Sequence, residues 1–182
     1  MAEVHIFSGL GSSIFRPLQV GTRAIEGLID GLGADAKHHI WHEWDEVADR
    51  LIAKNERGNL EGPIILIGHS NGVLSICNIA TRLASHKIEV EYLGAIDPTA
   101  AAFAPVSRNV KLVDEFWASS GYPKFKRWLT RNKRGACQFT KGFSGEHNLY
   151  QLKAPHVGIA SHHYVHDRIS NQVSRITGGS NG

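Results

Sequence analysis

The chain has 182 residues, of which 42% are hydrophobic and 20% charged, a composition typical of one globular domain with a substantial core. Its formal charge of +3 is small, and no apolar stretch approaches the ~20 residues of a membrane-spanning helix, which excludes an integral membrane protein. Residues 1–7 carry no basic and apolar leader, and Cys77 and Cys137 are expected to be unpaired thiols, so we expect a cytoplasmic protein.

The first third of the chain alternates strand and helix patterns. Residues 4–8 predict a first strand, which a glycine-rich loop over residues 9–13 follows. A first helix is indicated by apolar residues that recur at helical spacing: Ile25, Leu28, Ile29 and Leu32. Residues 36–41 predict a second strand, and residues 45–54 predict a second helix.

Residues 62–73 read Gly-Pro-Ile-Ile-Leu-Ile-Gly-His-Ser-Asn-Gly-Val, so a short apolar run ends in a G-x-S-x-G turn. The run predicts a buried central strand, and the apolar residues after the turn recur at helical spacing. Ser70 then lies on a strained strand-to-helix corner, where Gly68 and Gly72 leave room for the neighbouring strand and helix. This pattern predicts the nucleophile elbow of a serine hydrolase, because a serine that only caps a helix does not require the flanking glycines.

The second half of the chain predicts two further strands and a last helix. Residues 90–96 predict a strand that ends at Asp97, and residues 110–117 predict the next one. Residues 118–155 show no period, so we expect irregular structure there, with at most a short helix near residues 125–129. The last helix is indicated by apolar residues at helical spacing: Val165, Ile169, Val173 and Ile176. The alternation predicts an α/β fold with a mostly parallel sheet covered on both faces and a reactive site at the carboxyl ends of its strands.

With the elbow at Ser70, an aspartate after the next strand and histidines near the C-terminus, the chain resembles a small α/β-hydrolase of the serine esterase/lipase type. The resemblance covers nearly all of the chain. It implies a compact, trimmed α/β-hydrolase domain over residues 1–177, and the Gly/Ser/Asn composition of residues 178–182 predicts a flexible tail. It also implies a catalytic triad in the chain order serine, acid, histidine, which Ser70, Asp97 and His156 satisfy.

The acid of the triad has alternatives. Asp97 directly follows the strand after the elbow helix, as in pancreatic-type lipases, whereas many members of the family take the acid from one strand later. Asp114 and Glu115 are the rival carboxylates, and they lie inside an apolar run rather than at its end. We favour Asp97, whose alternative role is to cap the turn at Pro98.

The base must be chosen among 11 histidines. It should lie on a loop between the last strand and the last helix, and the candidates there are His156, His162, His163 and His166. We favour His156, with His162 second, because the residues after His156 resemble the His-x-x-Ile pattern of small bacterial hydrolases. His162 and His166 have the i, i+4 spacing of metal ligands but no third ligand, so we expect no metal, and the chemistry needs no cofactor.

Backbone N–H groups are expected to form the oxyanion hole. One belongs to Asn71, directly after the serine, and the other belongs to the loop after the first strand, where Leu10 is preferred and Gly11 is next. His69 is expected to pack beside the elbow rather than to act as the base, and the predicted substrate contacts are His69, Gly11 and Trp117. The glycine-rich loop lacks the third glycine of a dinucleotide fingerprint and the lysine of a P-loop, so a nucleotide is not expected.

A basic segment lies between the predicted fifth strand and the histidines. Residues 124–141 carry lysines and arginines without an acidic residue, while the rest of the chain is net negative. Aromatic residues interleave with these cations over residues 116–143. In the fold that the chain resembles, insertions before the histidine lie over the active-site mouth. The segment is therefore either a cap with apolar walls and a positive rim or a solvated surface loop.

These residues predict a two-step acyl transfer, in which Ser70 attacks the carbonyl of a small-molecule ester or thioester, His156 accepts the proton and Asp97 orients the imidazole. One alternative is an acyltransferase or thioesterase whose partner is anionic. Another is a catalytically silent hydrolase-fold protein that binds an anionic ligand through the basic segment. Nucleic acid is not expected as that ligand, and the sequence carries no signal for an oligomeric state.

Overall fold

The structure is a computed structural model that describes residues 2–9, 25, 27–28, 30–32, 36–98, 104–119 and 137–178. In this part of the chain six strands form one sheet, and every neighbouring pair is parallel. The strands are β1 (Glu3–Ser8), β2 (Lys37–Ile40), β3 (Ile64–His69), β4 (Tyr92–Ile96), β5 (Leu112–Ala118) and β6 (Glu146–Leu152). Their order across the sheet is β2-β1-β3-β4-β5-β6.

In the described residues helices follow β2, β3 and β6 and cover the sheet. They are a 3₁₀ turn (Trp41–Glu43), α1 (Trp44–Glu56), α2 (Gly72–Ser85), α3 (His156–Ile159) and α4 (His163–Thr177). The described residues between 25 and 32 are helical as well, and Ile25 and Leu28 are buried. None of the helices in the described ranges has the length and apolar content that a bilayer crossing requires.

The sheet has an apolar core on each face. On one face Phe7, Leu66 and Val113 pack with buried residues of α1 and α2. On the other face Ile65, Ile67 and other strand residues pack with α4 and with the helical residues near 25–32. Because both sides of β3 are buried, its sequence is continuously apolar, as the pattern of residues 64–67 predicts.

The predicted α/β fold with a parallel sheet is confirmed, and each predicted strand has a counterpart in the structure within about two residues at either end. The prediction of irregular structure over residues 118–155 is wrong for residues 146–152. Those residues form β6, which pairs in parallel with β5. β6 is the last strand in the sheet order and its residues are exposed or half-buried, so its sequence lacks the apolar run that marks a buried strand.

Both cysteines are unpaired and buried in the core, as the sequence predicts. Burial raises the pKa of the Cys77 thiol to about 12 and raises that of Cys137 well above its usual value. The nearby carboxylate of Glu115 acts in the same direction on both thiols. Two neutral thiols therefore fill space in the core as small apolar groups.

Candidate active site

Ser70 lies at the point where β3 ends and the chain turns into α2. Its φ of 58° is in the left-handed region, which is strained for a residue with a side chain and costs on the order of 1–3 kcal/mol. The backbone fixes this corner on both sides: the Ser70 N–H donates to the carbonyl of Ile96 at 2.9 Å, and the Ser70 carbonyl accepts from the N–H of Val73 at 3.1 Å. The strained corner is the conformation that the G-x-S-x-G pattern predicts.

The glycines on either side of Ser70 make this corner sterically possible. A Cβ atom on Gly68 would lie 2.5 Å from the carbonyl oxygen of Gly72. A Cβ atom on Gly72 would lie 2.2 Å from the carbonyl oxygen of Phe7 on β1. Both distances are too short for any side chain, so α2 can approach β1 and β3 only because these positions are glycine.

His156 is the first residue of α3, directly after Pro155. Its Nε2 atom lies 3.0 Å from the Oγ atom of Ser70, although the two residues are 86 positions apart in the chain. Its Nδ1 atom lies 2.5 Å from Oδ2 of Asp97. The histidine side chain is 16% exposed, so part of it is accessible to solvent.

Asp97 directly follows β4 and is completely buried. Its φ of 44° is also in the left-handed region, and its N–H donates to the carbonyl of Phe116 at 2.7 Å. Its Oδ1 atom accepts a hydrogen bond from the N–H of Ala118 at 3.2 Å, while Oδ2 faces His156. The end of β5 therefore orients the carboxyl group toward the histidine.

The directions of these hydrogen bonds follow from the groups that make them. An ionised carboxylate only accepts, so the proton between Asp97 and His156 belongs to Nδ1 of the histidine. In that tautomer Nε2 accepts, and the hydroxyl of Ser70 donates to it. A serine hydroxyl that already donates to an imidazole has a nearby base to take its proton as the oxygen attacks.

His69 lies beside His156. It is the last residue of β3 and is 6% exposed. Its ring stacks on the ring of His156 with centroids 5.0 Å apart and an angle of 28° between the planes. Its Nε2 atom lies 3.1 Å from the backbone oxygen of His156. The sequence does not reveal this contact, because the residues are 87 positions apart and no periodic pattern links them.

Gly9, just after β1, packs against the serine. A Cβ atom on Gly9 would lie 2.8 Å from Cβ of Ser70 and 3.2 Å from the backbone nitrogen of Asn71. The loop after β1 therefore passes close to the N–H group that the sequence predicts as an oxyanion donor. Leu10 and Gly11, the predicted second donor and its alternative, lie outside the described residues.

No protein-family model and no curated protein sequence matches the chain. Solved structures do match it. The thioesterase domain SrfTE, which cyclises the lipopeptide antibiotic surfactin, aligns with a TM-score of 0.56 and 11% identity over 99% of this chain and 94% of its own. Human thioesterase 2 aligns with a TM-score of 0.54 and 14% identity over 100% of this chain and 99% of its own. The NocB thioesterase domain, solved as a covalent complex with a fluorophosphonate nocardicin G analogue, aligns with a TM-score of 0.53 and 13% identity over 97% of this chain and 96% of its own.

The chain has the α/β-hydrolase fold. At these identities the likeness concerns the fold, and the site must be argued from its own geometry. Within this fold the residues that meet lie at the carboxyl ends of β3 and β4 and at the start of α3, the edge of a parallel sheet where reactive groups gather.

The rival carboxylates have other partners in this α/β-hydrolase fold. Asp114 accepts hydrogen bonds from Arg168 of α4 and from Asn148 of β6. Glu115, on the opposite face of β5, accepts from the N–H of Cys137 at 2.9 Å and lies 3.1 Å from Nε2 of His147. The geometry therefore favours Asp97 over both as the partner of a catalytic histidine.

The other histidines near the C-terminus take part in the structure of α4. His162 is the residue before α4, and its Nδ1 accepts from the N–H of Tyr164 at 3.3 Å. Nε2 of His166 donates to the carbonyl of Ala160 at 2.7 Å. In the described ranges no group of three or more histidine, cysteine or acidic residues is placed to hold a metal ion.

Trp117 is half-buried at the carboxyl end of β5, one residue before Ala118, whose N–H holds Asp97. Its role as a substrate contact stays a prediction. Most of the predicted cap over residues 116–143 and most of the basic segment over residues 124–141 lie outside the described residues.

Proposed function

We propose that the chain is a serine hydrolase that cleaves a carboxylic ester or thioester through an acyl-enzyme on Ser70. The observation that supports this most strongly is the continuous hydrogen-bonded path from Ser70 through His156 to Asp97, with distances of 3.0 and 2.5 Å. The nucleophile, base and orienting carboxylate occupy the order and spacing that acyl transfer requires.

In the acylation step the Oγ atom of Ser70 attacks the carbonyl carbon, and its proton passes to Nε2 of His156. The tetrahedral intermediate then collapses, the bond to the leaving oxygen or sulfur breaks, and His156 returns the proton to that atom. In the second step water attacks the acyl-serine and loses its proton to His156. The carboxylic acid leaves, and the hydroxyl of Ser70 re-forms.

Asp97 contributes in two ways. As an acceptor at Nδ1 it holds His156 in the tautomer whose Nε2 can accept the serine proton. When the imidazole becomes positively charged, the completely buried carboxylate lies against it in a region of low dielectric, where the attraction is stronger than in water.

The negative oxygen of the tetrahedral intermediate needs donors on the other side of the serine. The N–H of Asn71 is suitably placed, because Asn71 precedes the first residue of α2 and the start of a helix favours negative charge. The close approach of Gly9 to Ser70 and Asn71 supports a second donor from the loop after β1. We propose Leu10 for that donor, as the sequence predicts, with Gly11 as the alternative.

The comparisons support including thioesters among the substrates, since the solved structures with TM-scores of 0.53 to 0.56 reported above are named as thioesterases. Both substrate types use the same site, because an ester and a thioester differ only in the leaving atom. A panel of acyl esters and acyl thioesters of graded chain length, compared by kcat/KM, distinguishes the two preferences.

The test of the proposed function is Ser70→Ala. We expect kcat for p-nitrophenyl ester hydrolysis to fall on the order of 10⁶-fold, because the nucleophile and the histidine act as one unit. A fluorophosphonate probe should label the wild-type protein and not the variant. Thermal unfolding should change little, because the hydroxyl contributes chemistry rather than packing.

Ser85→Ala is the matched control, since Ser85 is an exposed serine at the end of the same helix, with its hydroxyl bonded to the carbonyl of Arg82. It should retain wild-type hydrolysis and labelling. Wild-type turnover in Ser70→Ala would contradict the serine mechanism.

A further inference from the structure

We propose that His69 is a positioning residue that holds the imidazole of His156 in register with Ser70 and Asp97. This inference rests on the proposed function and adds a residue to its machinery. His69 does not touch the reacting atoms in this assignment. It acts through His156, which it contacts at the backbone and at the ring.

The backbone contact has a defined donor. The oxygen of His156 is a carbonyl and only accepts, so Nε2 of His69 carries the proton of the 3.1 Å hydrogen bond. That bond fixes the main chain at the residue whose side chain is the proposed base. The ring contact fixes a second degree of freedom, because stacked planes at 5.0 Å and 28° restrict rotation of the His156 ring.

The element that carries His156 explains the need for such support. α3 is only four residues long, from His156 to Ile159, so it provides little rigidity of its own. β3, in contrast, is buried along its whole length and ends in His69. The side chain of His69 therefore connects the residue that begins a short turn to a rigid strand in the middle of the sheet.

The position of His69 in the sequence links its support of His156 directly to Ser70. It is the residue immediately before Ser70, so the same strand end carries the nucleophile and the support of its base. Because His69 bonds to the main chain of His156, a displacement of β3 carries α3 with it, and the 3.0 Å contact between Ser70 and His156 is maintained. Because a misplacement of about 1 Å can reduce the rate on the order of 10²-fold, this support is relevant to rate and not only to stability.

His69→Phe and His69→Gln separate the two contacts. Phenylalanine keeps an aromatic ring against His156 but loses the donor, and glutamine keeps a donor near the position of Nε2 but loses the ring. We expect His69→Phe to lower kcat about tenfold with little change in KM, the effect of one lost hydrogen bond. His69→Gln should recover part of that loss, because the donor returns but the stacked ring does not.

A second readout needs no turnover. The proton shared by Nδ1 of His156 and Asp97 should give a far-downfield NMR resonance in the resting protein, assigned by its loss in His156→Gln. In His69→Phe we expect this resonance to shift upfield and to exchange faster with water, because the main chain that carries the His156 ring is less firmly held. In His69→Gln it should lie between its wild-type position and its position in His69→Phe.

His166→Phe is the matched control, since Nε2 of His166 also donates to a backbone carbonyl, that of Ala160, at 2.7 Å. We expect it to cost some thermal stability but to leave kcat and the downfield resonance unchanged. The inference is overturned if His69→Phe leaves both readouts at wild-type values. It is also overturned if His69→Phe, His69→Gln and His166→Phe all lose activity in proportion to their loss of thermal stability, which would mean that His69 only fills space.

The proposed function and this inference fail separately. Wild-type turnover in Ser70→Ala would remove the serine mechanism but would not affect the NMR measurement on His69→Phe. A resonance that does not respond to His69→Phe would remove the role of His69 and leave the serine mechanism in place.

Discussion

Asp97 and Asp114 are both completely buried, and they differ in the group that faces each carboxylate. Asp97 faces a histidine, at 2.5 Å, and a backbone N–H. Asp114 faces the guanidinium of Arg168, whose Nε donates at 2.8 Å and whose Nη2 donates at 3.3 Å. A histidine can change its charge near neutral pH, whereas an arginine cannot.

The network around Asp114 is complete in the resting protein. Asn148 of β6 donates to it at 3.1 Å, and the hydroxyl of Tyr92 donates at 3.4 Å. Burial, reinforced by the charge of Asp114, raises the pKa of Tyr92 well above its usual value, so the tyrosine stays a neutral donor. The hydrogen bond to Asp114 in turn raises the pKa of Arg168. These groups tie α4, β4, β5 and β6 together.

The comparison shows that burial of a carboxyl group does not by itself indicate catalysis. At Asp114 the opposite charge is already present, so the pair stabilises the fold and has no further charge to accommodate. In the proposed mechanism the opposite charge at Asp97 forms only when His156 takes a proton, so the carboxylate would face a charge that appears during the reaction. The partner of the carboxylate, rather than its burial, decides which role it has.

The largest effect expected for the two aspartates is on activity, and it tests whether the partner of each carboxylate decides its role. In Asp97→Asn the amide presents a donor to Nδ1 and favours the wrong tautomer of His156, so we expect kcat to fall on the order of 10⁴-fold, less than in Ser70→Ala. Asparagine tolerates the φ of 44° at this position, so the fold should remain. Asp114→Asn should retain kcat/KM within a few-fold. If Asp114→Asn is the variant that loses activity, the partner of the carboxylate does not decide its role.

The next largest effect is on the free energy of unfolding, and it tests the ion pair between Asp114 and Arg168. Arg168→Met leaves the buried carboxylate of Asp114 without its cation, and removing one partner of a buried ion pair costs about 3–5 kcal/mol. Since the Arg168 side chain is 32% exposed, water screens part of the pair, and we expect about 2–3 kcal/mol in urea unfolding.

The double variant Arg168→Met/Asp114→Asn completes this measurement. Because it no longer buries an unpaired charge, it should be more stable than Arg168→Met alone, which a double-mutant cycle quantifies. Additive losses in the two single variants would show that the pair does not anchor α4.

The sequence predicted the parts of the fold that are periodic and buried. β3 is a continuous apolar run because both of its faces are covered, and α4 shows its helical spacing because one face packs on the sheet. β6 was not predicted, because its sequence, Glu-His-Asn-Leu-Tyr-Gln-Leu, has no apolar run and no apolar alternation. Its half-buried face includes the polar Asn148, and its exposed face includes Leu149. Its strand structure comes from pairing with β5.

The candidate site likewise has features that the sequence predicted and one that it did not. The corner at Ser70 was visible because strained backbone requires glycine at fixed positions, and those glycines are local in sequence. The choice of Asp97 over Asp114 came from its place at a strand end, and it stays a prediction about function. The contact between His69 and His156 was not visible, because it depends on how α3 approaches β3 across 87 residues.

A third buried polar cluster can be compared with those around Asp97 and Asp114, because in it two histidines face each other. His5 on β1 is 1% exposed, and its Nδ1 lies 3.0 Å from Nε2 of His39 on β2. Burial, followed by the interaction with His39, lowers the pKa of His5 to about 3, and burial also lowers the pKa of His39. The charged or titratable groups around this pair are Glu3, Lys37, His38, Glu43 and Arg50.

The smallest expected effect is the pH dependence of stability that this pair causes. Above about pH 6.5 each histidine is neutral in both the folded and the unfolded chain, so the pair does not change the free energy of unfolding. As the pH falls below that value the unfolded chain binds protons that the folded chain does not, so stability decreases by at most about 1.4 kcal/mol per pH unit for each histidine. For His5 the decrease continues down to about pH 3.

Glu3 does not contribute to this pH dependence above the pH range in which its carboxyl group titrates. Burial alone would raise the pKa of Glu3, but hydrogen bonds from Lys54 and Lys37 outweigh burial and lower it below 4.5. Its contribution to stability is therefore complete above about pH 4.5 and is lost only as the pH falls further. Between about pH 6.5 and 4.5 Glu3 therefore adds no slope, and comparison with His5→Gln isolates the contribution of His5.

His5→Gln removes one titrating ring and keeps a donor and an acceptor near His39. Urea unfolding at several values between about pH 6.5 and 4.5 should give a shallower dependence on pH for this variant than for the wild-type protein. His163→Gln is the control, because His163 is an exposed histidine at the start of α4, and its dependence should match the wild type. Equal slopes for His5→Gln and the wild-type protein would mean that the buried pair takes up protons without unfolding. In that case the carboxylates of Glu3 and Glu43, which lie 3.4 Å from Nε2 of His5 and 3.7 Å from Nδ1 of His39, would stabilise the charge on the pair as Asp97 is proposed to do for His156.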